Sequence, residues 1–237
     1  MQHVISLYDY TGEALKPWAE AGYTCHAFDI QHDEASLIDF FEGGGSISFR
    51  KADLHDHKNL NAIHSTFADK PVAFGMAFPV CTDMAVSGAA WFKKKAEVDP
   101  FFQEAAVSYA IWCDRLFNSL HVPYFIENPV SVLATKWRKP DHTFHPYEYG
   151  GYIAKNDARH PRWPDYIADR DAYTKKTCLW TGGGFVMPTK IPTCKPTGYS
   201  TQHKKLGGKS QRTKDIRSAT PRGFAKAICE FNKREYA

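Results

Sequence analysis

Cys81 stands in the stretch FPVCTDMAVSG, residues 78 to 88, just past the apolar run PVAFGMAF, and Glu127 stands in IENP, just past the apolar run VPYF. A cysteine in a strand is most often a small hydrophobe. Cys81 lies beyond its run, beside Pro79, Thr82 and Asp83, where a thiolate can meet a ligand and be stabilised by the backbone N–H groups that follow. At Glu127, desolvation at the end of an interior strand raises the carboxyl pKa and favours a proton-carrying acid. A nucleophilic thiol and a protonated carboxyl at one sheet edge suit addition to an electron-poor heteroaromatic ring. The thiol adds to a ring carbon while the acid supports charge developing on a ring nitrogen.

Three further strand ends carry polar residues that a nucleotide-type cofactor needs. Tyr8-Asp9-Tyr10-Thr11-Gly12 reads as a tight turn between strand and helix, which offers backbone N–H groups to a polar ligand. Asp29, about twenty residues on, is placed to reach a ribose hydroxyl pair in a doubly wound sheet. Asp53-Leu54 ends the next strand, where a carboxylate can accept from an adenine amino group. Each alone reads as a helix cap or a surface carboxylate; three at successive strand ends favour the cofactor.

The elements that must position these residues follow from periodicity. HVISLYDY (3–10), TCHAFDI (24–30), ISFRKADL (47–54), PVAFGMAF (71–78), VPYFIEN (122–128) and TKKTCLW (174–180) read as strands. Helical spacing marks the segments around 13–22, 58–67 and 100–119 and the closing TPRGFAKAICEFNKR. The alternation predicts an α/β fold, a mostly parallel sheet with helices on both faces and the ligand at the carboxyl ends of the strands. Residues 137–172, rich in Pro, His, Tyr and Trp, and residues 182–217 break the pattern. They read as excursions from a single domain spanning 1–237, and as the segments that touch substrate.

At 237 residues the chain can bury a full core. No stretch approaches the ~20 uninterrupted apolar residues of a membrane span, and the N-terminus lacks the character of a signal peptide; a cytoplasmic protein with no membrane partner is expected. The six cysteines are far apart with no C-x-x-C pair, so free thiols are expected, with no disulfide framework and no metal site. The net charge of +4 is modest, but Lys190, Lys195, Lys204, Lys205, Lys209, Arg212, Lys214 and Arg217 stand against Asp215 alone. Such a run is either a solvated surface loop or a phosphate-contacting segment.

The order of these motifs resembles the cytosine-C5 DNA methyltransferase family, in particular its short phage and prophage members, which lack a large target-recognition domain. The resemblance rests on SLYDYTGEALKPWAEAGY, Asp29, Asp53-Leu54, FPVCTDMAVSG, IENP, TKKTCLW and TPRGFAKAICEFN. It implies a Rossmann-like fold that uses S-adenosylmethionine, with Tyr8, Asp9, Tyr10, Thr11, Gly12, Asp29, Ile30, Asp53, Leu54, Pro79 and Thr220 around the cofactor. It implies methyl transfer to C5 of a cytosine flipped from duplex DNA or presented single-stranded. Cys81 would add to C6, Glu127 would protonate or hydrogen-bond N3, and Asn128 would hold the loop or the exocyclic amine. Lys176 belongs to the basic strand. The chain departs from the family where Tyr10 replaces a glycine and where Lys175, Lys176 and Thr177 replace Gln-x-Arg-x-Arg. The alternatives are the same chemistry on RNA or on a free cytosine nucleotide, and a catalytically silent DNA-binding protein.

Overall fold

The computed structural model describes residues 1–34, 37–196, 202, 205–207 and 210–233. Eight strands form one sheet: β1 (His3–Leu7), β2 (Thr24–Asp29), β3 (Leu37–Phe40), β4 (Ser46–Lys51), β5 (Val72–Ala77), β6 (Tyr124–Pro129), β7 (His142–Phe144) and β8 (Thr177–Gly182). Their spatial order is β3-β4-β2-β1-β5-β6-β8-β7. The five central strands are parallel; β3, β8 and β7 run antiparallel to their neighbours. The expected α/β class, Rossmann-like and mostly parallel with helices on both faces, is the one found.

The helices are α1 (Lys16–Glu20), α2 (His57–Phe67), α3 (Phe92–Val98), α4 (Phe102–Ser119), α5 (Leu133–Lys136), α6 (Gln211–Ser218) and α7 (Arg222–Asn232). Strand order reverses at β1, since β2 lies on one side of it and β5 on the other. Right-handed crossovers therefore put α1 on one face and α2 and α4 on the opposite one. Because the central strands are covered on both sides, they read as nearly continuous apolar runs, and β5 is buried along its whole length.

Two cores result. On one face, Ile5, Leu7, Phe28 and Ile126 pack with Leu60, Ile63 and Phe67 of α2 and with Cys113 and Phe117 of α4. Here Gly75 of β5 has no alternative, because a Cβ would stand 2.3 Å from the Phe117 ring. On the other face, Val4, Cys25, Ala27, Phe74 and Phe125 pack with Trp18 of α1 and with Phe224, Ala227 and Ile228 of α7. The spacing of the last three residues gives α7 a continuous apolar stripe. Asp56 starts α2 by accepting from the Lys58 N–H at 2.9 Å.

The aperiodic stretch 137–172 is ordered. It supplies β7 and short 3-10 turns, including Pro146–Tyr152 and Asp169–Asp171. Trp163, Ile167, Tyr173, Leu206, Ile216 and Ala219 build a third apolar cluster beside the sheet. Among the described residues, no helix is long and apolar enough to cross a membrane.

Candidate active site

The singled-out residues from Tyr8 to Leu54 fall at the carboxyl edge of β1, β2 and β4. The turn after β1 begins at Tyr8, whose φ is 58° and whose hydroxyl donates to the Leu54 carbonyl at 3.0 Å, joining the ends of β1 and β4. Asp9 is buried; it accepts from Ser6 Oγ at 2.7 Å and from the Gly12 N–H at 2.8 Å. Burial pushes its pKa up, against the pull of those two hydrogen bonds. Gly12 has φ 67°, and a Cβ there would meet the Phe49 ring at 2.8 Å. Glycine is required at that point of the turn.

Asp29 accepts from Gln31 N and Nε2 through Oδ1, at 2.8 and 3.1 Å, and Asp53 accepts from the His55 N–H through Oδ1 at 3.0 Å. All three carboxylates thus shape their own turns, as isolated Asp residues in turns do. Asp29 and Asp53 each keep a second oxygen without a hydrogen-bond donor among the described residues. Ile30 beside Asp29 is 54% exposed, while Leu54, Thr11 and Pro79 are buried. Acceptors and an exposed apolar side chain along one edge fit an adenosine-type group.

Past β5 and β6 the chain brings Cys81 and Glu127 together. Asn128, 1% exposed, donates from Nδ2 to the Pro79 carbonyl at 3.0 Å. Val86 N–H donates to Val130 O, and Val132 N–H donates to Met84 O, both at 3.0 Å. Three links therefore fasten the Cys81 loop to the segment that ends β6. On its other flank, the Asp83 carboxylate pairs with Lys95 of α3. The loop closes on itself where Met84 and Ala85 N–H groups donate to Cys81 O at 3.0 and 2.8 Å.

Cys81 is half-buried. Burial pushes its thiol pKa up, the negative charge of Glu127 adds to the rise, and Lys175 opposes it. Burial raises the Glu127 carboxyl as well, again opposed by Lys175. One cation thus acts on both groups. Lys175 lies just before β8, whose Thr177 pairs with Pro129 at the end of β6. Together with Phe78, Glu127, Thr177, Thr220 and Phe224 it lines a narrow cleft, and its Nζ donates to Arg217 O at 3.0 Å.

Lys176 is exposed and does not line that cleft. The reason is the period of two in an extended chain, which turns Lys175 and Thr177 to one side and Lys176 to the other. Thr220, 8% exposed, lines the cleft beside Glu127 and Lys175. Helix α6, whose Arg217 carbonyl holds Lys175, was not legible as a site element. Alternation counted back from the buried strand TCLW is the signal that distinguishes Lys175 from Lys176.

The basic run divides by use. Lys190 pairs with Glu148 at 2.9 Å, Lys205 donates to Asp165 O at 2.7 Å, Arg217 donates to Leu206 O at 2.6 Å, and the Arg212 guanidinium lies 5.1 Å from the centre of the Tyr166 ring. These four hold the excursions together. Lys204 and Lys209 lie outside the described residues. Among the described residues no group of three or more His, Cys, Asp or Glu side chains is arranged to hold a metal ion.

No family model matches the chain, and no curated protein matches it. Among solved structures it matches an E. coli prophage protein provisionally described as a DNA modification methyltransferase, at 13% identity and a TM-score of 0.43. The match covers 76% of this chain and 46% of that one, so this chain spans about half of that protein's length.

Proposed function

We propose that this chain transfers a methyl group from S-adenosylmethionine to C5 of cytosine in DNA, with Cys81 as the nucleophile. The observation that supports this most is the set of hydrogen bonds that fastens the Cys81 loop to the end of β6, where Glu127 stands, with Lys175 acting on both groups. A thiol that must ionise and a carboxyl that must stay protonated is the combination that addition across a pyrimidine 5,6 bond needs.

In this reading Asp29 and Asp53 hold the donor's ribose and adenine through their free oxygens, and Ile30 packs on the adenine. Bound there, S-adenosylmethionine supplies an electrophilic methyl group. The Cys81 thiolate forms a bond to C6 while Glu127 delivers its proton to, or hydrogen-bonds, N3, so that electron density collects at C5. As C5 takes the methyl group the donor's S–CH3 bond breaks and its neutral thioether leaves; a base then removes the C5 proton, the C6–S bond breaks with Cys81 leaving as the thiolate, and any proton on N3 returns to Glu127. Lys175 favours that thiolate in both steps. Asn128 serves by holding the loop at Pro79 O.

DNA is favoured as the substrate by the segment that follows the Cys81 loop. Trp91 is 63% exposed there, and Lys93 and Lys94 beside it are exposed too. An aromatic surface among cations suits a nucleic-acid strand with an unstacked base. The test is transfer of labelled methyl groups to duplex DNA, single-stranded DNA, tRNA and dCMP in parallel. Incorporation into DNA that Cys81→Ala abolishes is expected; incorporation only into dCMP or tRNA would refute the DNA substrate. Undiminished transfer by Cys81→Ala would refute the mechanism.

A further inference from the structure

Strands β1, β2 and β4 follow one another in the same direction across the sheet, so right-handed crossovers put both connections on the face of α1. The β1 to β2 connection contains α1. The β2 to β4 connection, residues 30–45, instead forms β3, laid antiparallel along β4. Among the described residues this connection forms no helix beside α1, and Ile47 and Phe49 of β4 floor an open cavity of about 480 Å³. That volume falls within the range of small-molecule sites.

The walls of this cavity are oppositely charged. Lys16 Nζ and Arg162 NH1 both reach Glu13 Oε1, at 2.8 and 3.3 Å, and the Glu13 side chain is 1% exposed. Two cations on one buried carboxylate leave a surplus positive charge on that wall. A second, acidic part of the lining is formed by Asp33 and Asp39, on the β2 to β4 connection, and by Asp215 of α6. Gln211 Nε2 ties this second wall together, donating to Gln31 Oε1 at 2.7 Å and to Asp215 Oδ1 at 2.8 Å. Asp33 and Asp39 have no hydrogen-bond or ion-pair partner among the described residues. Between the walls, the His32 ring stacks on Tyr10 at 5.5 Å and meets the edge of Phe49 at 5.3 Å, which stiffens an apolar floor.

A simple anion would face three carboxylates, and a simple cation would face Lys16 and Arg162. A zwitterion with an apolar body satisfies both walls and the floor at once. We propose that this cavity binds a free α-amino acid with an apolar side chain. Its carboxylate lies toward Lys16 and Arg162, its ammonium toward Asp33, Asp39 and Asp215, and its side chain over Ile47, Phe49 and Leu37. Cys81, Glu127 and Lys175 do not line the cavity, whereas Tyr10 and Thr11 of the turn after β1 do, so competition by S-adenosylmethionine is part of the test.

The test is calorimetric titration of the full chain with L-phenylalanine and L-leucine, and with 3-phenylpropionate and phenethylamine, which lack the ammonium and the carboxylate respectively. Saturable binding of at least one amino acid is expected, with both truncated analogues weaker by about tenfold or more. Arg162→Gln, and the double change Asp33→Asn with Asp39→Asn, should each weaken amino-acid binding by about tenfold. All three side chains are exposed, so the fold should be untouched. Cys81→Ala should bind as the parent does. Equal affinity for the analogues, no saturable binding at millimolar amino acid, or unchanged binding in the variants would overturn the proposal. So would competitive displacement by S-adenosylmethionine, which would assign the cavity to the methyl donor.

Discussion

The side-chain amide of Asn128 donates to the main-chain carbonyl of Pro79 across 3.0 Å, and so joins the end of β6 to the loop that carries Cys81. The bond is buried, and it spans the two strands whose ends hold the thiol and the carboxyl. Replacing Asn128 with Ala leaves the Pro79 carbonyl without its partner, at a cost of about 1–3 kcal/mol. Denaturant unfolding should show that loss. Methyl transfer should fall by more than tenfold while S-adenosylmethionine affinity, measured by calorimetry, stays within about twofold of the parent.

The electrostatics of Cys81 give a prediction with a fixed sign. The negative charge of Glu127 raises the thiol pKa and the positive charge of Lys175 lowers it. Glu127→Gln should therefore increase the thiolate fraction at a given pH and shift the alkylation profile of Cys81 to lower pH; Lys175→Met should shift it to higher pH. Iodoacetamide rates measured against pH in a Cys194→Ser background read this directly. Shifts in the reverse order would contradict the arrangement. Alkylation of the parent should accelerate as pH rises, because the thiolate is the reactive form.

Asp171 links the 137–172 excursion to α7, since it accepts from the Gly223 N–H at 2.8 Å. Burial raises its pKa to about 6. A carboxyl whose pKa is higher in the folded chain than in the unfolded one contributes stability that is full below the unfolded value, near 4, and lost as pH rises through about 6. The contribution is on the order of 2–3 kcal/mol. Asp171→Asn keeps an acceptor for Gly223 and removes the titration. Its unfolding free energy should vary less between about pH 4 and 6 than that of the parent.

Gly12→Ala places a Cβ against the Phe49 ring and forces alanine to φ 67°. Both effects act on the turn after β1. A destabilisation of about 1–3 kcal/mol is expected, together with weaker binding of S-adenosylmethionine. Thermal unfolding and calorimetry measure the two separately. Binding equal to that of the parent would remove this turn from the donor site.

The strands and the order of the site residues were legible because interior parallel strands read as plain apolar runs. PVAFGMAF and VPYFIEN announce β5 and β6, and Cys81 and Glu127 fall just after or at their ends. Strand β3 was not legible, since Leu37 and Phe40 are exposed at 64% and 82% and alternate with nothing. Helix α6 was hidden by composition: in QRTKDIRS only Thr213 and Ile216 are buried. Reading residue types without the pleat pointed to Lys176, whereas Lys175 is the lysine that lines the cleft. A one-residue offset in an extended chain reverses which side chain faces the cleft.

Burial has a chemical consequence for the six thiols. Cys25, Cys113, Cys178 and Cys229 are buried, and their surroundings hold each in the neutral form, with Cys229 pushed up to about 12. Neutral, enclosed sulfur is a poor nucleophile and a poor target for oxidants. To an electrophile in solution the folded chain therefore presents two addressable sulfurs, the exposed Cys194 and the half-buried Cys81. Removing the first would leave an inhibitor or a reporter dye with one place to attach.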